Sequence, residues 1–314
     1  MKRLHMLLVL SLLTACAGND APINTEAFTV VDEARFRELL PADGQVTRLA
    51  TGMQFVEGPV WIDDGGYLIF SDIPGNELKR WDPADGVQTF RAPSNNANGN
   101  TLDLEGRLLT AQHDGHLTRT EANGTVVTLA ERYNGAHLSS PNDVVVKSDG
   151  TIWFTDPDYG LGEREQETPG NYVYRFDPAL TDLRAVVTDM VRPNGLCFSP
   201  DETRLYVADS GGPGHIRSFD VGADGAVSGG NVFAAIDPGA PDGIRCDERE
   251  NVWSSSGDGA QIFGSDGGLI ARILLPESAA NLAFGGPDGT TVYFTARTSL
   301  YSVPSLVRDA TWGR

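Results

Sequence analysis

One hairpin pattern occurs six times along the chain, and this repetition limits the possible folds more than any other feature. Each copy opens with a small polar group, continues as an apolar strand, turns, and returns as a strand that ends in small or acidic residues. Where glycine stands at the turn, it supplies the positive φ that a tight hairpin needs. The copies occupy residues 57–72, 98–113, 141–156, 193–209, 241–256 and 280–297.

Two further strands follow most of these hairpins. Third strands are predicted over residues 78–82, 117–121, 173–177, 216–220 and 261–266, and fourth strands over residues 87–92, 126–130, 185–189, 232–236 and 270–275. Units of four strands at spacings of about 40 to 50 residues are typical of β-propellers. The sequence therefore predicts an all-β, six-bladed β-propeller of four-stranded blades. An open β-sandwich with a loose N-terminal arm is the weaker alternative, because six units match.

The last unit lacks one strand. It has a third strand at residues 300–303 but no clear fourth strand before the sequence ends. Residues 46–51 (VTRLAT) can supply it from upstream. The ring would then be closed by an N-terminal strand, which removes its open sheet edges. Residues 32–40 (DEARFRELL) predict a short helix before that strand, with acidic residues in its first turn.

The first residues have the pattern of an export signal. Lys2 and Arg3 precede a short apolar stretch at residues 4–13, and Leu-Thr-Ala-Cys follows, ending at Cys16. The stretch is too short for a membrane span, and the ending resembles a bacterial lipobox. An ordinary secretory signal cut near Ala17 is the alternative.

The lipobox predicts three parts of the chain. They are a signal peptide over residues 1–15, a lipidated Cys16 with a tether to residue 28, and the propeller over residues 29–314. We therefore expect a cell-envelope lipoprotein that faces the periplasm, on the outer membrane if the host is Gram-negative.

Charge and cysteine content limit the partners and the crosslinks. The chain has 43 Asp and Glu against 24 Lys and Arg, so no nucleic-acid partner is expected, because phosphate binding needs basic patches. We expect a monomer that meets the membrane only through the Cys16 lipid.

Cys197 and Cys246 would lie in an oxidising compartment, where a disulfide is allowed. The repeat alignment places them one step out of phase on equivalent strands, whose successive residues face opposite sides. This offset predicts two buried free thiols.

Residues just before the first strand of every blade converge, because these strands line the central channel of a propeller. All six are acids or amides: Glu57, Asn98, Asn142, Asn194, Asp242 and Asn281. One such residue is ordinary turn chemistry, but six of six indicate a site. A ring of carboxylate and carbonyl oxygens suits a hard cation such as Ca²⁺, Mg²⁺ or Mn²⁺. Neither Cys nor His joins the pattern, which disfavours a tetrahedral Cys/His zinc site.

Four sequence phrases carry a family resemblance: EGPVW, SPNDVVVKSDGTIWFTDPDYG, RPNGLCFSPDE and PDGIRCDE. Through them the chain resembles the gluconolactonase/regucalcin (SMP-30) family, and most closely its bacterial gluconolactonase branch, over about residues 32–301. The resemblance implies a six-bladed propeller with one divalent cation, with Ca²⁺ expected and Mg²⁺, Mn²⁺ or Zn²⁺ left open. By motif, the ligands are Glu57, Asn142, Asn194 and Asp242. The resemblance also assigns general acid/base work to Asp242.

Four residues are predicted to contact the substrate: Asn98, His113, Asp156 and Tyr159. His113 ends the second strand of its blade and so should lie at the same mouth, as a proton shuttle, a substrate contact or a turn-capping residue. Asp156 and Tyr159 begin a long loop that reaches Gly170. A loop of that length over the mouth is a candidate lid or specificity wall.

The resemblance, together with the predicted metal site, implies a metal-dependent lactone hydrolase that opens an aldonolactone by attack of a metal-activated water, with the oxyanion stabilised by the cation. Two alternatives remain: hydrolysis of phosphotriesters or non-sugar lactones at the same metal site, and a non-catalytic, calcium-stabilised binding propeller. Ser140, where the animal branch has Arg, and Gln112, where gluconolactonases often have Glu, leave the substrate open. Residues 209–213 (DSGGP) imitate a serine-protease segment, but the repeat already explains Asp209 as a strand-end residue.

Overall fold

The computed structural model describes residues 22–179 and 181–313. Its N-terminal part contains a strand, a helix and a second strand: β1 (Phe28–Val30), α1 (Glu33–Leu39) and β2 (Thr47–Thr51). The predicted signal peptide and Cys16 lie outside the described residues. Within the described ranges, no helix is long and apolar enough to cross a membrane.

The strands of the described chain form six antiparallel blade sheets and one two-stranded sheet, which confirms the predicted propeller. Blade 1 has β3 (Val56–Ile62), β4 (Tyr67–Asp72), β5 (Glu77–Asp82) and β6 (Gly86–Arg91), and blade 2 has β7 (Ala97–Leu102), β8 (Leu108–Gln112), β9 (His116–Thr120) and β10 (Val126–Ala130). A small hairpin follows, β11 (Arg132–Tyr133) and β12 (Ala136–His137). Blade 3 has β13 (Val144–Val146), β14 (Ile152–Asp156), β15 (Tyr172–Asp177) and β16 (Asp182–Val187).

The second half of the chain repeats this arrangement. Blade 4 has β17 (Pro193–Phe198), β18 (Arg204–Asp209), β19 (His215–Val221) and β20 (Val227–Ala235), and blade 5 has β21 (Ile244–Cys246), β22 (Val252–Ser256), β23 (Gly259–Phe263) and β24 (Leu269–Leu274). Blade 6 has β25 (Asn281–Gly285), β26 (Thr291–Ala296) and β27 (Ser299–Pro304). In every blade the first strand is the innermost one, so the chain enters each blade at the channel.

The ring closes between blades 6 and 1, as the sequence predicts. Strand β2 pairs with β27 and becomes the outer strand of blade 6. Across the seam, the indole of Trp61 in blade 1 stacks on the ring of Tyr293 in blade 6, with centroids 5.4 Å apart. The strand pairing and the ring stacking therefore close the propeller between its last blade and its first.

The N-terminal segment is more firmly attached than predicted. Strand β1 adds a fifth strand to the outer edge of blade 5, where it pairs with β24. Phe28 is only 2% exposed, and the side chain of Asn24 donates to the carbonyl of Gly44. The predicted tether over residues 16–28 therefore ends earlier, before Asn24. The predicted helix is confirmed as α1: Asp32 caps it by accepting from Arg35 N, and its Phe36 is fully buried.

The apolar side chains fill the spaces between neighbouring blades. Trp153 of blade 3 meets Phe198 of blade 4 edge-on, with centroids 5.2 Å apart, and Trp253 of blade 5 meets Phe284 of blade 6 at the same distance. Burying a large apolar side chain of this kind stabilises the folded state by about 1.5–3 kcal/mol. The blades therefore hold one another in place, and with them the residues at the channel mouth.

The prediction of two free thiols is wrong, because Cys197 and Cys246 form a disulfide with Cα atoms 5.8 Å apart. Cys197 lies on the innermost strand of blade 4 and Cys246 on that of blade 5. Neighbouring blades stack face to face, so the front face of one meets the back face of the next. The one-residue offset between the cysteines therefore turns them toward each other. Within one sheet such an offset would separate the two thiols, but between two stacked sheets it brings them together.

Candidate functional site

The innermost strands are joined directly to one another at one mouth of the channel. Gly99 N donates to Asn142 O at 2.7 Å, and Gly195 N donates to Asp242 O at 2.9 Å. This approach requires glycine: a Cβ on Gly195 would stand 2.4 Å from Asp242 O. The glycine that follows Asn98 or Asn194 thus draws the neighbouring blades together and brings the predicted site residues into one ring.

Three strand-end carboxylates fix the loops that lead into this ring. Asp72, Asp156 and Asp209 each accept from the two backbone amides that lie three and two residues before a ring residue. The donors are Gln54 and Phe55, Ser139 and Ser140, and Val191 and Arg192. The same device therefore positions Glu57, Asn142 and Asn194.

This geometry corrects the prediction that Asp156 contacts substrate. Asp156 has no exposed surface, and both carboxylate oxygens accept backbone bonds, at 2.9 Å from Ser139 N and 2.7 Å from Ser140 N. Burial raises the pKa of Asp156 to about 7, and the two backbone bonds oppose this rise. Asp156 therefore holds the loop and does not face the open mouth.

Two buried carboxyl groups, Glu57 and Asp242, lie against each other in the ring. Burial raises the pKa of Glu57 well above its usual range, and the charges of Asp242 and Asp143 raise it further. Burial also raises the pKa of Asp242 to about 7, with the charge of Asp143 adding to it and the Asn194 side chain opposing it. Glu57 Oε2 accepts from the side chain of Asn281 at 2.9 Å. In the part of the chain that the structure describes, neither carboxyl group forms an ion pair with a basic side chain.

The ring has the oxygen donors that a hard divalent cation needs. Asn194 Oδ1 and Asn98 Oδ1 are buried and have no hydrogen-bond partner in the described part of the chain. Leaving such an oxygen unpaired costs about 1–3 kcal/mol, and a cation would satisfy it. No cluster of three or more His, Cys, Asp or Glu side chains with ligand geometry occurs in residues 22–179 and 181–313. The residues present fit a site of mixed carboxylate and amide oxygens instead.

Asn142 completes the predicted ligand set. It is 5% exposed and stands in the equivalent position of blade 3, where its carbonyl accepts from Gly99 N. Glu57, Asn194 and Asp242 are the predicted ligands that the structure brings into direct contact. Asn142 is linked to the ring by its backbone carbonyl, which accepts from Gly99 N.

A buried ion pair lies beside the ring, and the sequence pattern does not predict it. Asp143 Oδ2 accepts from Arg245 Nη1 at 3.0 Å, and neither residue has more than marginal exposure. A signal was present: the ring residue is followed by glycine in blades 1, 2, 4 and 5, but by Asp143 in blade 3. A carboxylate in place of a packing glycine indicates a special position, yet its partner on a distant blade could not be read from the pattern.

His113 lies at the mouth, as predicted, but mostly covered. Its Nε2 is 2.9 Å from the amide nitrogen of Asn98, and a Cβ on Gly160 would stand 2.3 Å from its ring. Burial, with the charge of Arg164, lowers the pKa of His113 to about 4. The imidazole is therefore neutral at physiological pH, and Nε2 accepts from the Asn98 amide, which leaves the proton on Nδ1.

The loop between β14 and β15 forms one wall of the mouth. Tyr159 is 41% exposed, and the guanidinium of Arg192 lies 5.0 Å from its ring centre while pairing with Asp158 at 2.8 Å. Burial raises the pKa of Tyr159, and the nearby Ser210 and Asn194 side chains oppose this. Ser210 Oγ donates to Pro241 O at 2.6 Å, so this serine braces the wall.

Two cavities flank the ring. The smaller, about 290 Å³, opens beside Asp242 and is lined also by Phe55 and Arg297. The larger, about 490 Å³, lies at the other end of the innermost strands and is lined by Trp61, Phe198 and Trp312, among others, with no ring residue. We place the functional site at the smaller cavity, because Asp242 of the ring lines it and is itself in contact with Glu57 and Asn194.

The fold and the site define a six-bladed β-propeller with carboxylate and amide oxygens at one mouth of its central channel. The family model of the SMP-30/Gluconolactonase/LRE-like region matches residues 55–298. The chain belongs to this family.

Individual relatives agree with this assignment. A gluconolactonase of Zymomonas mobilis is 29% identical over 302 residues, covering 86% of this chain and 83% of the relative. The structure of XC5397 from Xanthomonas campestris, described as a gluconolactonase, superposes with a TM-score of 0.84 at 33% identity, covering 90% of this chain and 96% of that one. The calcium-binding protein regucalcin from Agrobacterium tumefaciens has a TM-score of 0.71 at 24% identity, covering 83% and 94%, and so shows the shared fold.

Proposed function

We propose that the protein is a metal-dependent lactone hydrolase that opens an aldonolactone. The observation that carries the proposal is the buried Glu57–Asp242 pair beside the orphaned Asn194 oxygen, at the edge of an open cavity. Family membership and the gluconolactonase relatives support the reaction class. The calcium-binding relative supports a divalent cation, with Ca²⁺ first and Mg²⁺, Mn²⁺ or Zn²⁺ as alternatives.

Glu57, Asn142, Asn194 and Asp242 would hold the cation. When bound, it would supply a Lewis acid for the ester carbonyl. Asp242 accepts a proton from the attacking water, whose oxygen adds to the carbonyl carbon. The ring C–O bond then breaks, and Asp242 returns the proton to the departing ring oxygen, so that lactone and water give one hydroxy acid.

The remaining residues at the mouth bind and orient the substrate. Asn98 and the neutral His113 form one hydrogen-bonded pair that offers an amide and an imidazole to sugar hydroxyls. Tyr159, with Arg192 over its ring, supplies an aromatic face against which a sugar ring can lie. Asp156 acts indirectly, because its bonds to the loop keep Asn142 in the ring.

A metal add-back assay tests this proposal. The purified domain, stripped with EDTA, is given Ca²⁺, Mg²⁺, Mn²⁺ or Zn²⁺ and assayed against sugar lactones, non-sugar lactones and paraoxon. We expect restored hydrolysis of an aldonolactone. Restored hydrolysis of paraoxon alone would instead favour a phosphotriesterase. Metal-induced stabilisation without any turnover would favour a binding propeller.

We also propose that Cys16 carries a lipid that attaches the protein to the cell envelope, on the periplasmic side. The support is the sequence Leu-Thr-Ala-Cys after a short apolar stretch. Cys16→Ser should abolish labelling by a palmitate analogue in the producing cell. Unchanged labelling of that variant would contradict the proposal.

A further inference from the structure

Beside the carboxylate pair, the cavity of about 290 Å³ offers more room than an ester group needs. Most of its walls are small or apolar: Phe55, Gly239, Ala240, Ser256, Gly257, Ser278, Ala279 and Ala280. Two charged residues line it, Asp242 and Arg297. The cavity is therefore a place for the part of a substrate that lies beyond the reacting ester, with a cationic side chain at its rim.

Arg297 is held at this rim in an uncommon backbone conformation. Its φ of 45° lies in the left-handed region, which costs a non-glycine residue on the order of 1–2 kcal/mol. Its carbonyl accepts from Val56 N at 2.8 Å, directly before Glu57. The turn is thus tied to the ring, and the side chain leaves the backbone from a fixed point beside the site.

The guanidinium of Arg297 makes no hydrogen bond or ion pair with residues 22–179 or 181–313 and is exposed. Other arginines near the mouth are engaged: Arg192 pairs with Asp158, and Arg164 donates to the carbonyls of His113 and Ser139. In a chain of formal net charge −19, acidic partners are plentiful. An arginine that has none, in a strained turn of the site, points to an anion that comes from outside.

We propose that Arg297 binds an anionic group of the substrate, at the end of the molecule away from the ester. The substrates would then be lactones of acidic sugars that carry a carboxylate, sulfonate or phosphate at that end. The planar guanidinium matches such groups with two parallel hydrogen bonds. The negative field of the protein repels anions in general, so a local cation is needed to admit them. This inference rests on the lactone hydrolysis proposed above.

Matched substrates test the proposal. kcat/KM is measured with calcium for D-glucono-1,5-lactone and for its 6-phosphate, and for D-glucaro-lactone as the carboxylate counterpart. For the wild type we expect kcat/KM to favour at least one anionic lactone by roughly 10- to 100-fold, the range of a charged hydrogen-bonded contact. Arg297→Asn should remove the preference mainly by raising KM for the anionic lactone. Asn tolerates a positive φ, so the turn is preserved.

Two further variants sharpen the result. Arg297→Lys keeps the charge but loses the paired hydrogen bonds, so it should retain part of the preference. Arg48→Gln is the matched control, because Arg48 is exposed on β2, the outer strand of the same blade, and its removal should change nothing. Added salt should narrow the difference in KM for the anionic lactone between the wild type and Arg297→Asn, because it screens the contact that the variant lacks.

The outcomes separate the two proposals. If neutral lactone is hydrolysed but the wild type shows no preference, or Arg297→Asn keeps it, the role of Arg297 is wrong and lactone hydrolysis stands. If no lactone is hydrolysed in the presence of any of the four metals, both proposals are wrong. Which anionic lactone responds to the variant identifies the group that Arg297 binds.

Discussion

The channel contains two kinds of buried carboxylate, and the contrast between them explains the site. Asp143 is fully buried and bonded to Arg245, so its charge is balanced within the chain. Glu57 and Asp242 are also buried, but they lie against each other and form no ion pair with a basic side chain of residues 22–179 or 181–313. Balanced charge holds a structure together, whereas unbalanced charge of this kind is typical of a site that takes its cation from outside. The predictions below test this difference.

The largest expected effect is on turnover. Asp242→Asn keeps the shape of the side chain but removes its ability to accept a proton, and should lower kcat by about 10²- to 10⁴-fold. The circular dichroism spectrum should not change. Asp63→Asn is the control, because Asp63 is exposed just beyond the other end of β3. Near-normal activity of Asp242→Asn would show that the proton acceptor is another residue.

The second effect is on folding stability, and it should separate the two kinds of carboxylate. Asp143→Asn leaves the buried Arg245 without its counter-charge and should lower the free energy of unfolding by about 3–5 kcal/mol. In metal-free protein, Glu57→Gln relieves repulsion with Asp242 and should leave stability unchanged or raise it. Urea denaturation in EDTA measures both. Equal destabilisation by the two substitutions would contradict the comparison.

Metal removal should lower the folding stability by a somewhat smaller amount, and only in proteins that keep the Glu57–Asp242 pair. A ligand at 100 times its dissociation constant stabilises the folded state by about 2.7 kcal/mol. We therefore expect calcium to raise the melting temperature of the wild type and of Asp143→Asn, but not of Glu57→Gln. Calorimetry with and without calcium provides the measurement. A full calcium response in Glu57→Gln would mean that the cation binds elsewhere.

The smallest effect is a pH dependence of the metal-free protein. A carboxyl group with a raised pKa in the folded state binds more protons there than in the unfolded chain, so stability falls as pH rises. Asp242 should cause this loss of stability between about pH 4, its ordinary pKa, and about pH 7, its pKa in the folded protein. Each such group contributes up to about 1.4 kcal/mol per pH unit.

Calcium separates the contributions to this slope. Asp156 also has a pKa of about 7, but it lies outside the ring and should not respond to calcium. Glu57→Gln and Asp242→Asn should each remove the share of this calcium-sensitive slope that belongs to the carboxyl group they replace. A slope that calcium leaves unchanged would assign all of it to residues such as Asp156.

The sequence predicts the fold and the ring well, because both depend on one repeated pattern. Residues such as Glu57 and Asp242 recur at one position of the repeat, and the topology of a propeller turns that position into a ring. Features that join residues at different positions of the repeat were not predicted. The Asp143–Arg245 pair and the fifth strand β1 lie outside the repeat, and the facing of Cys197 and Cys246 depends on how two sheets stack.

The role of Asp156 was misread for a related reason. An acidic residue at a strand end is compatible both with a substrate contact and with a loop clamp. The repeat shows only that Asp72, Asp156 and Asp209 are equivalent. The backbone amides that decide between the two roles are visible only in three dimensions.

Strand β2 has a consequence for the order in which the molecule is made. Its partner β27 lies some 250 residues later in the chain, so the first strand of this pair leaves the ribosome long before the strand it must meet. Glu57 likewise waits for Asn281, its hydrogen-bond donor from the last blade. Until Asn281 and β27 have been made, the nascent chain has blades but no assembled site. A prematurely terminated product would therefore be inactive however well its finished blades had folded.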